Sequence, residues 1–243
     1  GWQQACAQFC AAGWLGLSLP VEFGGQGLPK LVSTPVMEMW NAANMAFTML
    51  PILNQGQAEA LRIAASAEQK RTWLPKVVSG EWGSTMNLTE PQAGSDLAAT
   101  RTRAELQADG SYKLFGQKIF ISYGEHELTP NIVHLVLARL PDAPAGVKGL
   151  SLFIVPKFLV EADGSLGARN DVRCISIEHK MGIHGSPTCT LSFGEGGGAT
   201  GWLVGEPNRG LEVMFVMMNE ARFGVGVQGV ALAERAYQMA LGY

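Results

Sequence analysis

Met86-Asn87-Leu88-Thr89-Glu90-Pro91-Gln92-Ala93-Gly94-Ser95-Asp96 is the stretch on which the reading of this chain turns. It begins as an apolar strand end and breaks into a bend. Pro91 fixes one backbone angle and removes a donor, and Gly94 permits approaches that a Cβ would block. Thr89, Ser95 and Asp96 bring short polar side chains to the same bend. Such a loop can aim backbone N–H groups and hydroxyls at an anionic or carbonyl-rich ligand. A second stretch answers it, Gly116-Gln117-Lys118-Ile119-Phe120-Ile121-Ser122-Tyr123-Gly124. Ile119 and Ile121 alternate with Phe120 and Ser122, the period of a half-buried strand. That alternation is expected to put an aromatic ring and a hydroxyl on one face, where a flat ligand with polar edges could lie.

Outward from these stretches the chain changes character twice. Residues 1–81 read as helices. The first ends near Gly13, and Phe23-Gly24-Gly25-Gln26-Gly27 makes a turn; with no strand before it, a phosphate-cradling role is disfavoured there. Thr34 is expected to cap a helix with Pro35 at its first position, with Val36, Met39, Trp40, Ala43 and Phe47 as its core stripe. Ser66-Ala67-Glu68-Gln69 fits a capping box. From Trp82 to about Phe193 the chain reads as short strands and turns: Thr102–Gln107, Tyr112–Leu114, Lys118–Ser122, Ile132–Ala138, Leu150–Val155, Val172–Ile177 and Cys189–Phe193. Asp109-Gly110 is a hairpin signal. Many strands without intervening helices predict an antiparallel barrel or sandwich. From Gly210 a helical pattern returns and runs to Tyr243 with few charges. A helix apolar on most faces needs something to bury it, so the pattern predicts either association or aggregation through exposed apolar surface.

The whole is an α+β, multidomain pattern. Residues 1–81 are expected to form a helical N-terminal domain, 82–204 a middle β-domain, and 205–243 a helix of a C-terminal part. The 243 residues are 47% hydrophobic and 16% charged, which is ample for a globular core. A net charge of −3 gives no reason to expect nucleic acid, and no apolar run is long enough to span a membrane. Cys6, Cys10, Cys174 and Cys189 contain no Cys-x-x-Cys pair. They read as buried free thiols, which favours a reducing compartment. No metal site is expected. His126 lies between Glu125 and Glu127, but adjacent residues do not converge easily on one ion, and a solvated loop is the simpler reading. His134, inside an apolar strand, reads as a satisfied core residue. His179 beside Lys180 is either an exposed basic turn or a contact for a phosphate.

The two motif stretches, in this order and with this gap, resemble the flavin-binding signatures of the acyl-CoA dehydrogenase family. The resemblance continues through Ile177-Glu178-His179-Lys180-Met181-Gly182 and Gly205-Glu206-Pro207-Asn208-Arg209-Gly210-Leu211. The segment Ala162 to Ile183 is most similar to the bacterial subgroup that includes 3-methylmercaptopropionyl-CoA dehydrogenase. The resemblance implies FAD as cofactor and α,β-dehydrogenation of an acyl-CoA thioester to a trans-2-enoyl-CoA. It implies that Leu88 and Thr89, with Met86 beside them, meet the isoalloxazine edge. Gly94 and Ser95 would meet the pyrophosphate or the CoA arm. Phe120 would cover one flavin face, with Ile121 and Ser122 near its reactive edge. The family often has Trp at Phe120 and Thr at Ser122; both replacements keep a π-face and a hydroxyl. Asn219 and Arg222 would contact acyl-CoA.

Without the resemblance, Thr89 and Ser95 are turn residues, Phe120 is core, and Arg222 forms a surface ion pair with Glu220 or a neighbour. The resemblance further implies an electron-transfer flavoprotein as acceptor, a homodimer or homotetramer when intact, and the bacterial cytoplasm, or the mitochondrial matrix in a eukaryote. The chain is expected to be cut at both ends, with the catalytic carboxylate beyond residue 243 and the fragment itself inactive. Two rival readings are an acyl-CoA oxidase and a non-catalytic flavin- or acyl-CoA-binding relative.

Overall fold

A computed structural model describes residues 1–243. Four helices flank a ten-stranded β-region: α1 (Trp2–Ala11), α2 (Lys30–Ala64) and α3 (Ala67–Ser79) precede it, and α4 (Gly210–Leu241) follows it. The strands are β1 (Trp82–Asn87), β2 (Arg103–Leu106), β3 (Tyr112–Ser122), β4 (Asn131–Arg139), β5 (Leu150–Pro156), β6 (Phe158–Val160), β7 (Leu166–Arg169), β8 (Val172–Ile177), β9 (Thr188–Phe193) and β10 (Ala199–Val204).

The helical part departs from the sequence reading at α2. The helix starts at Lys30 after Pro29, so Pro35 lies inside it, and the Thr34 hydroxyl donates back to the Lys30 carbonyl at 2.7 Å. Thr34 is therefore not the cap. A break follows at Asn44 (φ −159°, ψ 92°), whose Oδ1 accepts from the Phe47 backbone N–H at 3.1 Å and restarts the helix. The anticipated stripe is also displaced. Met39 and Ala43 are exposed, and the buried line is Ser33, Met37, Asn41 and Thr48. The Thr48 hydroxyl and Asn41 Oδ1 satisfy one another at 2.5 Å, which lets a polar line lie inward. The capping box at the start of α3 forms as read: Ser66 Oγ accepts from Gln69 N, and Gln69 Oε1 accepts from Ser66 N.

In the β-region, β4, β5, β10, β3 and β2 pair in a ring that returns to β4. β8 and β9 extend from the second half of β3, and β6 with β7 forms a separate ribbon. Most pairings are antiparallel, but β1 and β2 both lie parallel to β4, along the same edge of it. Sequence alternation does not reveal direction, because a parallel pair needs only the right connection to reach its edge. The Asp109-Gly110 turn joins β2 to β3, with Gly110 at φ +82°. The Tyr112–Leu114 and Lys118–Ser122 segments prove to be one bent strand of 11 residues.

Strand β5 and all of β4 but its last residue, Arg139, are buried because each faces two cores. Val136, Ala138, Phe153 and Val155 fill the barrel with Leu114, Ile121 and Leu191. Val133, Leu135, Leu137, Leu152 and Ile154 point the other way, onto Leu61, Trp73, Trp82, Met214 and Met217. Strands buried on both faces read as continuous apolar runs, and the period of two then sorts successive residues between the cores.

Candidate functional site

The motif loop owes its position to the pairing of β1 and β2. Both strands use one edge of β4, so residues 88–102 must leave the sheet between them. The loop is closed at its base by Glu90 and Ala93, whose backbones exchange hydrogen bonds at 2.9 and 3.0 Å around Pro91. Asp96 accepts from Ala98 N at 2.9 Å and starts a short 3₁₀ turn over Leu97–Ala99. It acts as a cap rather than as a ligand arm.

The second motif lies directly against this loop. Lys118 Nζ donates to the Leu88 carbonyl at 3.0 Å, and the Ile119 N–H donates to the Thr89 carbonyl at 2.9 Å. Two consecutive residues of β3 thus hold two consecutive carbonyls of the loop. On its other side β3 pairs with β9, and the register slips between Lys118 and Ile121. The slip is a β-bulge, which re-aims a side chain at a sheet edge.

The bulge corrects the alternation expected from the sequence. Lys118, not Ile119, shares the barrel side with Leu114 and Ile121, and it is fully buried. Phe120 sits at φ +60°, in the left-handed region, with 59% of its surface exposed. A large aromatic held outward in that conformation stores strain, a pattern that clusters at ligand sites. Phe120 is therefore not core. Ser122 lies half-buried at the end of the strand and Ile121 is buried. Of the first-motif residues, Leu88 is buried, Met86 and Thr89 are half-buried, and Gly94 and Ser95 are exposed. A Cβ built at Gly94 meets nothing within 4 Å, so packing inside the chain does not require glycine there. That open margin and the outward Phe120 ring fit a flat, anionic group laid along the loop.

Beneath the surface lies an ion pair that the sequence reading passed over. Lys118 Nζ is 2.8 Å from Glu90 Oε1, with the side chains 0% and 3% exposed. The Glu90 carboxylate also accepts from Arg101 N at 2.8 Å, Thr102 N at 3.1 Å and the Thr102 hydroxyl at 2.6 Å. Burial alone would raise the Glu90 pKa, but the Lys118 charge and these donors hold it below the usual carboxylate range. Burial brings Lys118 down to about 8 against the pull of Glu90. The available signal was a lysine at the same strand parity as Leu114, answered by a glutamate inside the other motif.

A second polar chain enters the barrel from β1. Thr85 Oγ1 is 2.7 Å from His134 Nδ1 and accepts from Asn87 Nδ2 at 2.7 Å. Burial lowers the His134 pKa to about 3, so the ring is neutral. His134 is the satisfied core residue expected. His126 is not in a solvated loop. It packs against Tyr123 with ring centroids 5.6 Å apart, and burial lowers its pKa to about 4. Its neighbour Glu125 is engaged by Lys157 and Arg169. His179 is exposed, while Lys180 bonds Ser186 and Thr188 inside the chain. All four cysteines are free; Cys6 and Cys189 are buried, but Cys10 and Cys174 only partly.

Asn219 and Arg222 bond one another rather than either motif. Both are exposed on α4, where Arg222 Nη1 donates to Asn219 Oδ1 at 2.9 Å and the guanidinium lies 5.4 Å from the Phe215 ring. Arg222 does not pair with Glu220, which instead takes Lys30. Two cavities of about 500 Å³ are found elsewhere. One is lined by Lys148, Asn208 and Arg209 at the start of α4, the other by Ser66, Gln69 and Trp202; neither touches the motif residues.

Comparison with known families places these features. Residues 2–81 match the acyl-CoA dehydrogenase N-terminal domain, and residues 85–195 match the acyl-CoA dehydrogenase middle domain. The chain belongs to the acyl-CoA dehydrogenase family. It is 54% identical over 243 residues to 3-methylmercaptopropionyl-CoA dehydrogenase of Ruegeria pomeroyi, covering all of this chain and 41% of that protein. Among solved structures it is similar to an acyl-CoA dehydrogenase from Bacillus anthracis complexed with FAD (TM-score 0.82, 29% identity, 100% of this chain and 38% of that one). It is also similar to a chain solved in work on the electron transferring flavoprotein of Acidaminococcus fermentans (TM-score 0.82, 27% identity, 99% of this chain and 59% of that one). The chain thus spans about two fifths of the length of the Ruegeria relative. No helix is long and apolar enough to cross a membrane.

Proposed function

We propose that the protein catalyses FAD-dependent α,β-dehydrogenation of an acyl-CoA thioester to the trans-2-enoyl-CoA. The observation that carries this reading is the junction of the two motifs: Lys118 and Ile119 on the Leu88 and Thr89 carbonyls, with Phe120 turned outward beside them. FAD, when bound, supplies the acceptor for the substrate β-hydrogen as hydride, while a carboxylate takes the α-proton. That carboxylate is assigned to no residue of this chain.

The chain's own residues hold and orient. Leu88 and Thr89, flanked by Met86, offer a rim for the isoalloxazine, and Phe120 offers a face to stack on. Ile121 and Ser122 border the reactive edge, the latter with a hydroxyl. Gly94 and Ser95, open to solvent, suit a pyrophosphate or the CoA arm. Asn219 and Arg222 suit the acyl-CoA, since a guanidinium takes both phosphate and carbonyl oxygens. The α-proton becomes acidic only when the thioester oxygen receives hydrogen bonds, each worth about 3 kcal/mol in a dry site.

The electron acceptor in this reading is an electron-transfer flavoprotein, the setting is β-oxidation in the bacterial cytoplasm, and the assembly is a homodimer or homotetramer. The resemblance to family members supports each of these.

Anaerobic addition of acyl-CoA thioesters of graded chain length to an FAD-loaded protein that spans the full length of its relatives, and so carries the carboxylate, tests the reaction. Bleaching of the flavin band with formation of enoyl-CoA is expected, and absence of bleaching with every thioester overturns it. Oxygen uptake without an added acceptor would assign an oxidase instead.

A further inference from the structure

We propose that the buried Glu90–Lys118 pair is a positioning pair: it holds the 88–93 loop against β3 and thereby forces Phe120 outward into the face that takes the flavin. The proposal rests on the flavin reading above and adds to it two residues that touch neither cofactor nor substrate.

Three segments meet at the pair. Glu90 lies in the loop after β1 and receives the N–H groups of Arg101 and Thr102, where the chain re-enters the sheet as β2. Lys118 lies in β3 and reaches back to the loop at two points, the Leu88 carbonyl and the Glu90 carboxylate. The next residue, Ile119, adds its backbone N–H to the Thr89 carbonyl. Lys118 keeps its ladder place opposite Leu191 while its side chain reaches the loop, and the Ile119 N–H turns to the loop, so Ile119 and Phe120 together stand against Thr190. The ladder resumes only at Ile121 opposite Cys189, and Phe120 is the residue left over. Its left-handed backbone follows from the two tethers on one side and the resumed ladder on the other.

A pair of this kind is a costly way merely to fill a core, because burying two charges consumes much of what their attraction returns. What it supplies is fixed geometry. The carboxylate takes five donors, the Gln92 amide among them, and the ammonium ties the loop to one strand register. An apolar pair of the same volume would fill the space but leave the loop free to shift along β3.

The test uses Lys118→Met, which keeps length and apolar volume, and Phe120→Ala, each alone and together. FAD affinity is read by titration, and amide exchange is read without FAD. Lys118→Met is expected to weaken FAD binding at least tenfold. It is also expected to speed exchange of the Ile119 and Thr102 amides at least tenfold, while β4 and β5 amides stay protected. If Lys118 acts through Phe120, the double variant binds FAD no more weakly than the worse single variant. Additive losses would show a general effect on folding and overturn the positioning role. Unchanged exchange at Ile119 would overturn the clamp itself. A wild-type protein that retains no FAD overturns the flavin reading alone, since the exchange result still decides whether the pair holds the loop. Should Lys118→Met fail to fold, Glu90→Gln gives the same measurements with the volume kept, the charge removed and one acceptor oxygen replaced by an amide donor.

Discussion

At the scale of single residues, Phe120 carries the clearest trade between stability and binding. Its backbone sits in a region that costs an L-residue roughly 1–2 kcal/mol and costs glycine little, and its ring is mostly exposed. Phe120→Gly is therefore expected to raise the thermal midpoint slightly or leave it unchanged while lowering FAD affinity; a clear fall in the midpoint would mean that the ring is doing packing work. A second prediction concerns acid. His126 and His134 have folded pKa values lowered by burial, to about 4 and about 3, against an ordinary value of about 6.5. Between those limits the unfolded chain binds more protons than the folded one, so stability is present above about pH 6.5 and falls as pH drops toward 4. Replacing His134 by Gln should flatten that slope in a series of thermal midpoints taken across this range, and an unchanged slope would remove His134 as a source. Both histidines are visible in the sequence. Their burial is not, because whether a ring is enclosed depends on strands distant in the chain.

At the scale of elements, local chemistry was legible where its signal was local. Ser66 and Gln69 form their capping box because both partners lie within one turn. Ser66→Ala should cost about 1 kcal/mol, measured by denaturant unfolding, and a loss below a few tenths would show that Gln69, also bonded to the Leu203 carbonyl at 2.8 Å, holds the helix start by itself. The start of α2 was misread because Thr34-Pro35 has the composition of a cap, yet Lys30 to Thr34 is already helical and the true restart is at Asn44. Strand β3 was read as two segments with simple alternation. Its bulge depends on the loop from β1 on one side and on β9 on the other, and neither is within reach of a local pattern. The Glu90–Lys118 pair was hidden for the same reason, although both residues stand inside the motifs that identified the site.

At the scale of the molecule, one apolar core runs from Cys6 and Leu15 through Leu61, Trp73 and Trp82 to Leu135, Leu152, Met214 and Met217. It joins residues from all three segments proposed as domains: 1–81, 82–204 and 205–243. A shared core predicts one cooperative transition. Far-ultraviolet circular dichroism and tryptophan fluorescence should unfold together, and two separated transitions would show that the helical and β parts stand independently. The exposed Phe223, Val225, Val230, Tyr237 and Met239 on α4 support the expected association, and a monodisperse monomer at high concentration in sedimentation would count against it. The sequence by itself determined the order of helix, β-region and helix, because periodicity and turn chemistry act over a few residues, and the resemblance of its two motifs pointed to the family. Only the tertiary structure decided that β1 and β2 share an edge of β4, that the loop between them closes on a buried ion pair, and that Phe120 is expelled rather than packed. Those outcomes depend on which strand edges meet, and residues 28 or more positions apart must come together before the pairing can favour them.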